Sequence, residues 1–241
     1  MPGMARRVLL SVLGLLLLPL CWSLSVSLVH LVMAIQPDSD WPIPPAGLAL
    51  AGGFVLWEVI FLTLTRPVRA YVLGHELTHA LWGAMMGARV LSIKVSKESG
   101  SVSLSRSNMF ITLAPYFFPF YTFLVLLAYY ALSIFLDVTR WNLLWLGLVG
   151  FTWGFHLTFT ITTLLQKQSD IRAYSHLFSY AVIYIMNVVG ICLWVIMVAP
   201  VTLEQGILYI REDAAVVFSV VAGRAVETAR DCWRSIRDTT P

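Results

Sequence analysis

The sequence predicts an all-α, polytopic membrane protein of about six transmembrane helices, with a short β-hairpin after the third. Three observations carry that prediction. Of the 241 residues, 59% are hydrophobic and 12% charged, and a soluble domain carries about twice that share of charge. Apolar runs of about 20 residues, long enough to cross a bilayer, recur along the chain. Between Arg89 and Asn108 the apolar positions begin to alternate, which is the period of a strand. Residues 1–200 are therefore read as one six-span domain and 201–241 as a basic amphipathic tail. The formal charge of +3 comes with no nucleic-acid signature, and its basic residues lie in loops and the tail, as orientation determinants do. Cys21, Cys192 and Cys232 are scattered along the chain and read as packing residues rather than as a disulfide or metal set.

Arg6 and Arg7 precede an apolar run from Val8 to Ile35 that is too long for a signal peptide and lacks a small-residue cleavage site. It is expected to be an uncleaved first span. A Pro-rich acidic loop, Gln36 to Ala46, follows, with Trp41 at the interface. The second span runs from Gly47 to Thr65 and carries Glu58, which either pairs with a polar group near the site or is a protonated carboxylic acid bonded to a neighbouring helix.

The third span opens after Arg66, Pro67 and Arg69 and contains Gly74-His75-Glu76-Leu77-Thr78-His79-Ala80. On a helix His75 and His79 share a face one turn apart. That spacing lets two imidazoles hold one zinc ion, with Glu76 beside them to take a proton from water. Three ionisable groups within five positions of a membrane span are expensive in hydrocarbon and mark a functional site. The pair sits roughly 14 Å from either end of the span, so water has to reach it through a cavity lined by protein.

After the third span, Leu91, Ile93 and Val95, then Val102 and Leu104, alternate with polar residues around Lys97-Glu98-Ser99-Gly100, giving a hairpin over about 89–108. Such a hairpin is either a solvated surface feature or an edge on which an unwound substrate pairs. The fourth span, Met109 to Leu136, is interrupted by Pro115 and Pro119, which should kink or unwind it. In the fifth, Trp141 to Gln166, residues Thr152, His156, Thr160 and Thr163 fall on one polar stripe. The sixth runs from about Tyr174 to Ala199. The tail from Val201 mixes apolar residues with Arg224, Arg230, Arg234 and Arg237, as a helix lying on a membrane does.

A catalytic zinc takes three protein ligands and leaves a position for water. The candidates for the third are His156, Asp170 and His176. On one continuous helix His156 and Asp170 would stand about 21 Å apart, so both cannot bind one ion. Depth favours His156. Asp170 qualifies if the end of the fifth helix or the segment after it dips inward, which is tolerated where backbone lines a cavity. His176 lies near an interface.

The stretch HELTHALWGAMMGARVLSIKVSKESGSVSLS, His75 to Ser105, with Leu113-Ala114-Pro115 after it, resembles the site-2 protease class of intramembrane zinc metallopeptidases, the peptidase M50 group, and in particular its small members. The likeness covers about a third of the chain. It implies that His75 and His79 bind one Zn2+, that Glu76 is the general base, and that an aspartate in an N-x-x-P-x-x-x-x-D-G-like segment is the third ligand. Thr163 to Asp170 is the nearest match, without the Asn, the Pro and the Gly. Asp170 is the preferred third ligand, with His156 as rival ligand or substrate-positioning group. The expected activity is hydrolysis of a peptide bond in or near a transmembrane segment of a membrane protein substrate. The expected location is a membrane crossed several times, the bacterial cytoplasmic membrane. The alternatives are a membrane zinc transporter and a non-proteolytic member of the same fold.

Overall fold

A computed structural model describes residues 3–34, 44–96, 99–166, 168–198 and 201–239. Residues 36–43 of the expected Pro-rich loop, Trp41 among them, lie outside the described residues, as does the Lys97-Glu98 tip of the hairpin. The chain forms two compact units, Met1–Gln36 with Tyr180–Pro241, and Pro37–Ser179.

The first unit is built on three helices: α1 (Met4–Met33), α8 (His176–Val198), whose residues from Tyr180 belong here, and α9 (Leu203–Thr239). Leu24 and Leu31 of α1 pack with Val188 and Cys192 of α8 and with Val201. Cys192 is thus a packing residue, and all three cysteines are free thiols. Ser25 and Tyr184 hydroxyls meet at 2.7 Å between α1 and α8. The expected tail is one helix of 37 residues.

The second unit holds the remaining elements: α2 (Pro45–Thr63), α3 (Val68–Met85), strands β1 (Val90–Val95) and β2 (Gly100–Leu104), α4 (Met109–Leu113), α5 (Phe120–Ser133), α6 (Asn142–Leu164) and α7 (Ser169–Ala173). Helices α2 and α6 approach backbone to backbone. A Cβ on Gly53 would strike the Gly147 carbonyl, and one on Gly150 the Leu50 carbonyl. Small residues permit such close contact between apolar helices. Trp57 packs on Phe155, 4.9 Å between ring centres, and donates through Nε1 to Thr158 at 3.2 Å, while the Thr158 hydroxyl donates to Glu58 at 2.7 Å. Glu58 thus bonds to the neighbouring helix α6 through Thr158.

The hairpin forms inside the expected range, with Val90 opposite Leu104 and Val95 opposite Gly100. The two prolines act as expected. Helix α4 ends at Leu113, a 3-10 turn covers Ala114–Tyr116, and α5 leaves at 83°. Helix α6 stops at Leu164, and α7 is a separate short helix rather than its continuation.

Four helical stretches are long and apolar enough to cross a bilayer: Met4–Met33, Pro45–Thr63, Thr139–Leu164 and His176–Ile196. The bent α4–α5 pair makes a fifth if counted as one span. Large apolar side chains on these helices lie exposed, such as Leu16 on α1 and Leu62 on α2, as lipid contact requires. The count of six is not reached by composition, because α3 carries Arg69, His75, Glu76 and His79 and is too polar to qualify.

Candidate metal centre

Helix α3 is fixed at both ends of its functional face. Its C-terminus closes on Gly87, at φ +74°, a left-handed value that glycine adopts without a Cβ penalty. The Ala88 amide bonds back to the Gly83 carbonyl at 2.8 Å and the Gly87 amide to Ala84 at 2.9 Å, the pairing of a Schellman motif. The Arg106 guanidinium donates to the Met86 carbonyl and ties the end of the hairpin to the same terminus. Nearer the other end, the Tyr121 hydroxyl of α5 donates to the Ala70 carbonyl at 2.6 Å. The Tyr121 ring lies where a Cβ on Gly74 would be, at 2.8 Å.

On that face His75 and His79 stand one turn apart, ring centres 4.9 Å from each other. The His79 Nδ1 lies 2.8 Å from the Ile111 carbonyl of α4. A carbonyl only accepts, so Nδ1 carries the hydrogen and Nε2 keeps its lone pair. The His75 Nδ1 is 3.3 Å from the Tyr71 hydroxyl. The Tyr71 ring is itself stacked on Phe159 of α6, 7° from parallel at 4.7 Å. Both histidines thus have one nitrogen engaged and present the other to the same space.

Asp170 fills that space. Its Oδ2 lies 3.6 Å from His75 Nε2 and 3.5 Å from His79 Nε2. The short helix α7 brings it there by burying Ile171, 2% exposed, whose carbonyl accepts from Ser179 at 3.2 Å. Tyr116, fully buried in the 3-10 turn, donates its hydroxyl to Asp170 Oδ2 at 3.1 Å.

The donor atoms of His75, His79 and Asp170 all lie within 4.8 Å of one another, a group that could hold a metal ion. Contacts of 3.5–3.6 Å exceed a hydrogen bond. They match a tetrahedral ion with bonds of about 2.0–2.2 Å, which spaces its ligands by roughly 3.3–3.6 Å. Two imidazole nitrogens and a carboxylate oxygen are a donor set that zinc takes. The residues fit the ion.

Glu76 is buried beside the pair at 7% exposure, under strand β2. A Cβ on Gly100 would sit 2.5 Å from Glu76 Cγ and 2.8 Å from Oε1. The absence of a side chain there is what lets the strand lie on the carboxylate. Two cavities flank this point. One, of about 360 Å³, runs toward Arg66 past Tyr71 and Phe159. The other, of about 570 Å³, is lined by β2, Ser107, Thr112 and Asp170. Both reach His75, Glu76, Gly100 and Gln168.

The two other candidates for third ligand are placed elsewhere. His156 is outside the donor group. It is buried on α6, where it lines a cavity of about 20 Å³ behind His75 with Thr152 and Tyr121. His176 begins α8 and is not in the group either. Tyr116 and the Ile111 carbonyl, which steady the ligands, carry no motif of their own. The signals for them are Asn108, whose side chain accepts from the Ile111 amide at 3.0 Å and starts α4, and Pro115, which ends it. No protein-family model, curated protein or solved structure matches this chain.

Proposed function

We propose that the protein is an intramembrane zinc metalloendopeptidase that hydrolyses a peptide bond in or near a transmembrane segment of a membrane protein substrate. The observation that carries this reading is the convergence of His75 Nε2, His79 Nε2 and Asp170 Oδ2 with Glu76 adjacent. The setting supports it, since the helices around that centre are apolar and expose their apolar side chains. The likeness of His75 to Ser105 to the site-2 protease group points the same way. In this reading the chain crosses the membrane about six times, α3 being the span that composition alone does not count. Its polar face turns to the site and not to lipid.

A zinc ion held by this triad supplies Lewis acidity, polarising a carbonyl and making water nucleophilic near neutral pH. The protein does the rest. His79, fixed by the Ile111 carbonyl, and Asp170, fixed by Tyr116, hold their donor atoms in place and need no reorganisation. The Glu76 carboxylate takes the proton from the attacking water and returns it to the departing amine nitrogen. Strand β2 has one neighbouring strand, β1, and lines the larger cavity. An unwound substrate segment adds to its second edge and is held extended across Glu76. Amide cleavage requires this, because a helical substrate keeps its carbonyls bonded within the helix.

Glu76→Gln tests the assignment. With purified protein in proteoliposomes and a panel of fluorogenic transmembrane peptides, hydrolysis should fall by roughly 10²–10⁴-fold. Bound zinc, measured by elemental analysis, should be unchanged. Undiminished hydrolysis in that variant would falsify the role of Glu76. Zinc uptake by the same vesicles that survives Glu76→Gln would favour a transporter instead.

A further inference from the structure

The cavity of about 360 Å³ has a chemistry that hydrolysis does not require. One end is His75 and Glu76, the walls are the stacked Tyr71 and Phe159, and Arg66 stands at the far mouth. Arg66 is exposed, and its guanidinium rests 4.4 Å above the Phe61 ring. Among the described residues no carboxylate lies within 4.0 Å of it. Here the cation is held by an aromatic face, with its hydrogen-bonding edge unclaimed by any acid among the described residues. The other cavity differs. Its β2 wall offers Ser101 and Ser103, with Ser107 and Thr112 opposite, and no lysine or arginine among its described lining. The two sides of the site are therefore chemically unequal.

We infer that Arg66 is a specificity-determining residue that reads an acidic side chain on the substrate, about four or five residues to one side of the cleaved bond. This deepens the proposed peptidase function and rests on it. The register follows from the helix. Arg66 sits in the turn before α3; Val68 to Glu76 rises about 12 Å at 1.5 Å per residue and the turn adds up to about 6 Å, which an extended chain covers in about four to five residues at about 3.3 Å each. Between the acid and the cut, the Tyr71–Phe159 wall takes apolar side chains, as a transmembrane segment supplies. Guanidinium and carboxylate pair bidentately, and the planar guanidinium keeps its Phe61 face while its edge bonds the acid. The substrate class is a membrane segment whose apolar run ends in an acidic residue near the membrane boundary.

The experiment uses the full chain in vesicles of neutral lipid and fluorogenic transmembrane peptides that carry Glu, Gln or Lys at each of the third to sixth positions from the cut, on either side. Mass spectrometry locates the cut. Wild type should cleave the Glu peptide over the Lys peptide by roughly fivefold or more in kcat/KM at one of these positions. Arg66→Ala should level the series, and Arg66→Glu should invert it in favour of Lys. Binding of the same peptides to the Glu76→Gln protein should show the same order without turnover. Cleavage with an identical Glu-to-Lys ratio in wild type and Arg66→Glu overturns the role of Arg66 and leaves the peptidase standing. Cleavage of no peptide by wild type, with no binding by Glu76→Gln, overturns both. A preference that arises only when anionic lipid is added shows that Arg66 serves the bilayer, and also overturns the inference.

Discussion

His30 meets Asp213 at 3.0 Å in one compact unit, and His75 and His79 meet Asp170 at 3.6 and 3.5 Å in the other. By distance alone the first pair is the better contact. Its histidine side chain is 46% exposed, however, and the pair stands without a second imidazole. It joins α1 to α9, and the Tyr209 ring 6.1 Å away packs beside it. In the second unit three donors converge. Each histidine there has its other nitrogen engaged, and the carboxylate is held by a buried tyrosine. Contacts slightly too long for hydrogen bonds, between donors fixed from behind, suit a shared ion. A short contact between a half-exposed histidine and one buried carboxylate is a single interhelical pair with no third donor to share an ion among the described residues.

The sharpest way to break that contrast is to remove each aspartate in turn. Asp170→Ala should reduce zinc affinity by more than the roughly 10–100-fold that losing an outer-shell partner costs, and should abolish hydrolysis. Competition with a chelator of known affinity measures the first, peptide cleavage the second. A variant that keeps wild-type zinc affinity would move the third ligand elsewhere, with His156 next to test. Tyr116→Phe keeps the ring against His75 and deletes the hydroxyl on Asp170, so zinc affinity should fall by roughly 10–100-fold. An unchanged affinity would show that Asp170 needs no such support.

Gly100→Ala probes Glu76 without touching a ligand. The added Cβ has to displace Glu76 or the strand, at a cost of about 1–3 kcal/mol of overpacking. Peptide cleavage should drop while zinc content holds, and full activity would show that the strand has room to retreat. Asp213→Ala is the smallest of the four changes. It removes one hydrogen-bonded interhelical contact and should lower stability by roughly 0.5–1.5 kcal/mol, read as a shift in thermal unfolding in detergent, and leave zinc affinity as it was. Loss of zinc in that variant would erase the distinction between the two sites.

Much of the centre was legible because it is local. The i, i+4 spacing of His75 and His79 needs only the geometry of one helix, and the hairpin needs only its alternation and Gly100. The break at Pro115 and Pro119 was visible for a similar reason, since proline removes a donor and clashes with the preceding turn. What the break accomplishes was not visible. It tucks Tyr116 beneath Asp170, a contact across 54 positions that no local pattern encodes. Asp170 itself was in competition with His156, because a straight fifth helix would hold the two far apart. The deciding fact is where α6 ends. Its last residue is Leu164, and burial of Ile171 pulls the next segment inward. Such anchoring follows from tertiary packing and leaves no periodic signature. Arg66 was read only as a flank of the third span. Its place at a cavity mouth depends on Phe61 and Phe159, which come from two other helices.

The seam between α2 and α6 has a consequence for the proposed peptidase. With glycines pressed onto facing carbonyls at Gly53 and Gly150, and Trp57, Thr158 and Glu58 latched across the same face, separating these two helices would strip contacts along their whole length. For the proposed peptidase, that side of the second unit is the hinge post and not the door, and a transmembrane substrate would enter through another gap, where side chains rather than backbones meet.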